Sequence, residues 1–141
     1  MSDIFSAQKR SEIMSNISGK ETKPEILVRK FLFANGFRFR KNDKRFPGTP
    51  DIVLPKYRTV IFIHGCFWHG HENCKKAKLP ATRIEFWEEK ISKNILRDSS
   101  NYNELKKLGL NVLIIWECEI NNKAKREITF SKLLVTLKSQ I

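Results

Sequence analysis

Thr59-Val60-Ile61-Phe62-Ile63-His64 runs straight into Gly65-Cys66-Phe67-Trp68-His69-Gly70-His71-Glu72-Asn73-Cys74. The first half decides the fold. Val60 to Ile63 is an unbroken run of β-branched and aromatic residues, which marks a central strand covered on both faces. The second half bears chemistry. All three histidines of the chain lie in this stretch, with two of its three cysteines. Cys66, His71 and Cys74 follow a C-x4-H-x2-C spacing whose short last step is typical of a metal knuckle. With the distant Cys118 they would complete a Cys3His set, a usual closed zinc site, and no cysteine would be left over. The competing reading makes Cys66 and Cys118 small buried hydrophobes and His71 a surface residue.

Upstream of the strand, Asp51-Ile52-Val53-Leu54 reads as a second short strand. The turn residues Pro55-Lys56-Tyr57-Arg58 join the two as a hairpin. Phe37-Arg38-Phe39-Arg40 alternates apolar and basic and reads as another strand. Before it, Thr22 and Glu25 form a capping box that opens a helix, with Pro24 in its first turn. Ile26, Leu27, Phe31 and Leu32 give that helix its apolar face, and Gly36 ends it. Residues 1–21 are expected to form a basic arm with a short helix near 8–17.

Downstream, Thr82 and Glu85 form a second capping box. Ile84, Trp87, Ile91 and Ile95 then recur at helical spacing. Ser99-Ser100-Asn101 suggests a break before the helix resumes to Leu108. Residues 111–117 read as a buried strand that delivers Cys118 at its end. Strand, crossover helix and strand make a right-handed βαβ unit. A last amphipathic helix spans about 124–138. The expected fold is a single α/β domain over 1–141, a mixed central sheet flanked by helices.

The chain carries 27 Lys and Arg against 15 Asp and Glu, a formal net charge of +12. Such an excess favours a polyanionic partner, most often nucleic acid. No stretch is apolar for the length of a membrane span. The first residues lack the apolar core of a signal peptide, and three cysteines cannot all pair as disulfides. The expected compartment is the cytoplasm.

Asp51 at the start of its strand and Glu25 on the preceding helix are hard oxygen donors of the kind that hold Mg²⁺ beside a phosphate. His69 lies just past the strand end and suits proton transfer near neutral pH. Each also has a plainer reading, Asp51 as a turn residue and Glu25 as a cap. Phe67, Trp68 and Trp87 are either core residues or flat wedges for base steps.

Pro47-Gly48-Thr49-Pro50-Asp51, Val60 through His69, Pro80 through Trp87 and Trp116-Glu117-Cys118, in that order, resemble the very-short-patch repair endonuclease family. The resemblance extends from about residue 8 to 120. It implies a restriction-endonuclease-like fold with a structural zinc, and an enzyme that nicks one strand beside a T:G mismatch left by 5-methylcytosine deamination. It implies Mg²⁺ on Asp51 and the Ile63 backbone carbonyl, and proton transfer by His69. His64 and Glu25 would support, with Asp98 a further candidate. Cys66, His71, Cys74 and Cys118 would hold zinc, and Phe67, Trp68 and Trp87 would contact the mismatch. The partner would be duplex DNA carrying that mismatch, with mismatch-repair proteins as candidate companions, and the chain is expected to act as a monomer away from membranes. The chain departs from the wider restriction-nuclease pattern, because its third strand lacks an acid and a lysine. Two other readings stand beside this one: a zinc-stabilised DNA-binding module without catalysis, and a restriction endonuclease cutting both strands.

Overall fold

The computed structural model describes residues 22–139; the expected arm at 1–21 lies outside them. Four strands form one sheet in the order β1 (Arg40–Lys41), β2 (Ile52–Leu54), β3 (Thr59–His64), β4 (Asn111–Trp116). The first two junctions are antiparallel and β3–β4 is parallel. Helices α1 (Lys23–Ala34), α2 (Ile84–Lys107), α3 (Glu117–Ile120) and α4 (Lys123–Lys138) complete the described chain. The fold is thus mixed α/β, as the patterning predicts.

All six residues of β3 are buried, because successive side chains feed two different cores. Ile61 and Ile63 join Val28 and Leu32 of α1 and Leu133 and Leu137 of α4 on one face. Val60 and Phe62 meet Leu105 of α2 on the other. The helices therefore flank the sheet on both sides. The hairpin forms as expected, with Ile52 opposite Ile61, and a 3-10 turn at Pro55–Tyr57 ends on left-handed Arg58.

Several local expectations need correction. The strand expected over 37–40 shrinks to Arg40–Lys41, both exposed, while Phe37 turns into the core. A strand at 111–117 stops at Trp116, and Cys118 sits in the short helix α3. Most of β4 is only half-buried, since it lies at the sheet edge among the described residues. Helix α2 does not break at Ser99; it runs 24 residues. Its cap is not Thr82 but left-handed Arg83, with no side-chain capping bond. Of the apolar set at its start only Ile91 is buried; Ile84 and Ile95 are exposed.

Two pairings position the site. In the β3–β4 register His64 stands beside Trp116. Cys66 and Cys118 each lie two residues past that pair. Both halves of the chemistry therefore emerge at the C-terminal ends of the parallel strands, where open α/β sheets place their ligands. No helix among the described residues is long and apolar enough to cross a membrane.

Candidate catalytic cleft and metal centre

A cleft of about 750 Å³ opens at this edge, and Glu25, Asp51, Ile63, His64, His69 and Asp98 all line it. Thr22 caps α1 by accepting the Glu25 amide at 3.4 Å. The Glu25 side chain does not complete the capping box. It turns into the cleft, where its Oε2 accepts from Arg29 at 3.1 Å. Glu25 also meets Asp51 side chain to side chain. Asp51, in the turn before β2, accepts the Ile63 amide on Oδ2 at 2.6 Å. The recorded contact with Ile63 is thus through its N–H. Burial and the Asp51 charge push Glu25 up to about 7, and burial raises Asp51 as well. Two desolvated carboxylates facing one another favour any cation that enters between them.

His69 donates from Nδ1 to Asp98 Oδ2 at 2.6 Å. A carboxylate only accepts, so a neutral His69 carries its proton on Nδ1 and keeps a lone pair on Nε2. That is the state of a proton acceptor whose orientation is fixed by a second group. The His69 ring stacks on His64 with centroids 3.6 Å apart and planes 15° from parallel. Burial, then the neighbouring His69, pushes His64 down to about 3, so it stays neutral at physiological pH.

Cys66, His71, Cys74 and Cys118 come together with donor atoms all within 4.8 Å of one another. Tetrahedral zinc–sulfur bonds would set sulfur atoms about 3.8 Å apart, so the cluster is of a size that closes on one ion. His71 Nδ1 lies 3.4 Å from Cys118 Sγ, and its ring stacks on Trp116 at 4.1 Å, nearly parallel. Burial pushes the Cys66 thiol up to about 12, a cost that a bound cation offsets by stabilising the thiolate. Three sulfurs and one imidazole form a set that can hold a metal ion.

Phe67 and Trp68 also line the cleft. Trp87 does not; it sits edge-on to both, at 5.4 and 5.9 Å. Trp68 is 49% exposed, so the cluster is a rim rather than a core. Sequence reasoning missed Arg29, Asn94, Asn101 and Tyr102. Asn94 donates to the Trp68 carbonyl at 2.9 Å, Asn101 crowds against left-handed Gly48, and Tyr102 bonds His64. Asn94, Asp98, Asn101 and Tyr102 share the face of α2 that carries buried Ile91 and Leu105, and that spacing was the available signal.

Phosphodiester hydrolysis asks for a seat for a cation and a proton carrier in an open cleft. The class that fits is that of the nucleases, and comparison with known sequences narrows it. The chain belongs to the family described as DNA mismatch endonuclease Vsr, whose model matches residues 2–76. It is 55% identical over 141 residues, the whole of both chains, to "Type II nicking enzyme V.NmeAIP" of Neisseria meningitidis serogroup A / serotype 4A. It is 45% identical over 125 residues to "DNA mismatch endonuclease Vsr" of Escherichia coli K12, covering 89% of this chain and 80% of that one. It is 40% identical over 134 residues to "Type II nicking enzyme V.XorIIP" of Xanthomonas oryzae pv. oryzae, covering 95% and 98%. The protein is a DNA endonuclease.

Proposed function

We propose that the protein nicks one strand of duplex DNA beside a T:G mismatch left by 5-methylcytosine deamination, using Mg²⁺ at Asp51 and one structural zinc. The observation that carries this reading is the convergence, in one cleft, of the Asp51–Glu25 pair and the His69–Asp98 pair. Asp51 and the Ile63 carbonyl hold Mg²⁺, with Glu25 in support. Mg²⁺ there supplies charge to polarise the scissile phosphodiester. Asp98 orients His69, and Nε2 of His69 moves the proton. His64, neutral and stacked beneath it, supports. Cys66, His71, Cys74 and Cys118 hold zinc, whose preference for sulfur and imidazole matches the set. Phe67 and Trp68 wedge between base steps while Trp87 braces them. A wobble pair is cheaper to unstack than a Watson–Crick pair, which supplies selectivity.

The fold on this reading is restriction-endonuclease-like. The chain works as a monomer in the reducing cytoplasm, with mismatch-repair proteins as its companions. A DNA-binding module without catalysis would give no work to a buried and a half-buried carboxylate facing one another and an oriented histidine. A restriction endonuclease would cut both strands of matched DNA. Nicking of matched, T:G and other mismatched duplexes, with Mg²⁺ and with EDTA, separates the three. One-strand cleavage confined to T:G duplex and abolished by EDTA is expected. Cleavage of matched DNA or none at all would overturn the reading.

A further inference from the structure

One contact beside the cleft has no part in the chemistry above. Tyr102 Oη is hydrogen-bonded to Nε2 of His64. His64 is only 4% exposed. The Tyr102 ring meets Phe62 edge-on at 5.3 Å, so Phe62 on β3 fixes the ring and the ring aims the hydroxyl. Tyr102 stands on α2 four residues beyond Asp98, on the same helical face. The helix therefore holds two stacked imidazoles from one side, His69 through Asp98 and His64 through Tyr102.

We infer that Tyr102 is a positioning residue for the nicking reaction, acting through His64 to keep the His69 ring flat and facing the scissile phosphate. An imidazole that exchanges a proton must hold its lone-pair direction to within about 10–20°. Asp98 fixes one ring atom of His69, which leaves rotation about that hydrogen bond. The flat face of His64 blocks that rotation, and His64 keeps its own orientation through the Tyr102 hydroxyl. Burial raises the Tyr102 phenol, so it remains protonated at working pH and never places a negative charge beside the scissile phosphate.

The inference rests on His69 as the proton carrier, and the experiment separates the two. Tyr102→Phe keeps the ring and its edge contact with Phe62 and removes one hydroxyl. Single-turnover nicking of T:G duplex should slow by about three- to tenfold, the usual worth of one hydrogen bond. DNA affinity, measured in Ca²⁺, should be unchanged. A long-range nitrogen–proton spectrum of the imidazoles should show the His64 Nε2 resonance moving and that of His71 unmoved. Tyr102→Leu, which also removes the ring, should unfold at lower temperature yet nick, per folded molecule, no more slowly than Tyr102→Phe. An unchanged rate, an affinity that falls with the rate, or an unmoved His64 resonance overturns the inference. His69→Ala is run alongside. If that variant nicks at the full rate, the proton-carrier reading itself is wrong, whatever Tyr102 does.

Discussion

Asp51 and Glu25 carry the most specific consequences at the scale of single residues. Asp51→Asn keeps the shape of the side chain and removes its charge. It should abolish nicking while leaving DNA affinity within about twofold, because phosphate contacts elsewhere carry binding. Measuring both on the same preparation checks this. Glu25 adds a pH signature. Its pKa rises on folding, from 4.5 to about 7, so the folded chain grips that proton more tightly than the unfolded one. The stability it contributes is present below pH 4.5 and is lost as pH climbs through 7. A divalent cation competes with the same proton. Mg²⁺ should therefore raise the unfolding temperature more at pH 8 than at pH 5.5, and Glu25→Gln should flatten that difference. Equal Mg²⁺ stabilisation at both pH values in the native protein would remove Glu25 from the cation's surroundings.

The elements show where the sequence was transparent. The apolar run at 60–63 and the hairpin into it were legible because strand period and turn chemistry agree there. The cysteine and histidine spacing was legible because few other structures use those residues so densely. Helix α2 was opaque for a physical reason. Ser99, Ser100 and Asn101 have poor helical propensity, and packing against β3 overrides it. Placing a break there hid the face that delivers Asp98 and Asn101 to the cleft and sets Asn94 and Tyr102 against Trp68 and His64 beside it. Glu25 carried two readings for another reason, since a capping box and a cleft carboxylate look identical in sequence. The same helix makes a test at Gly70, which has φ of +60° and lies against α2. A Cβ there would fall 2.6 Å from Ile95 Cδ1 and 2.9 Å from Ile91 Cγ2. Gly70→Ala should cost about 2–4 kcal/mol, from a left-handed backbone and an overpacked contact together. It should also speed the loss of bound metal to a chromogenic chelator, because Gly70 sits between the knuckle ligands and α2. An unchanged melting temperature would count against that packing.

Over the whole molecule the +12 charge and the Cys3His set each carry a consequence that can be measured. Log affinity for duplex DNA should fall with log salt at a slope near −4.5 or steeper, equivalent to about five phosphate contacts. Titration at three salt concentrations measures it, and a flat response would argue against a phosphate-driven interface. Elemental analysis should find one zinc per chain. Cys118→Ser should lower the unfolding temperature, and nicking should fall only in proportion to the molecules left folded, because a metal held there would tie loop 66–74 to the end of β4 rather than touch the scissile bond.

The pairing of His64 with Trp116 has a consequence for how this chain can change in length. One residue added to either strand would turn every later side chain to the opposite face. His64 would leave Tyr102 for the α1 side, and Cys66 would no longer meet Cys118. An insertion in β3 would therefore split the Cys66–Cys118 set and break the His64–His69 stack in one event, and a compensating insertion in β4 cannot return His64 to its face. The stretch between Lys78 and Arg83 runs without helix or strand and holds none of these partners in register. Family members are expected to differ in length there, and to keep the count from the start of β3 to the second cysteine of the knuckle fixed.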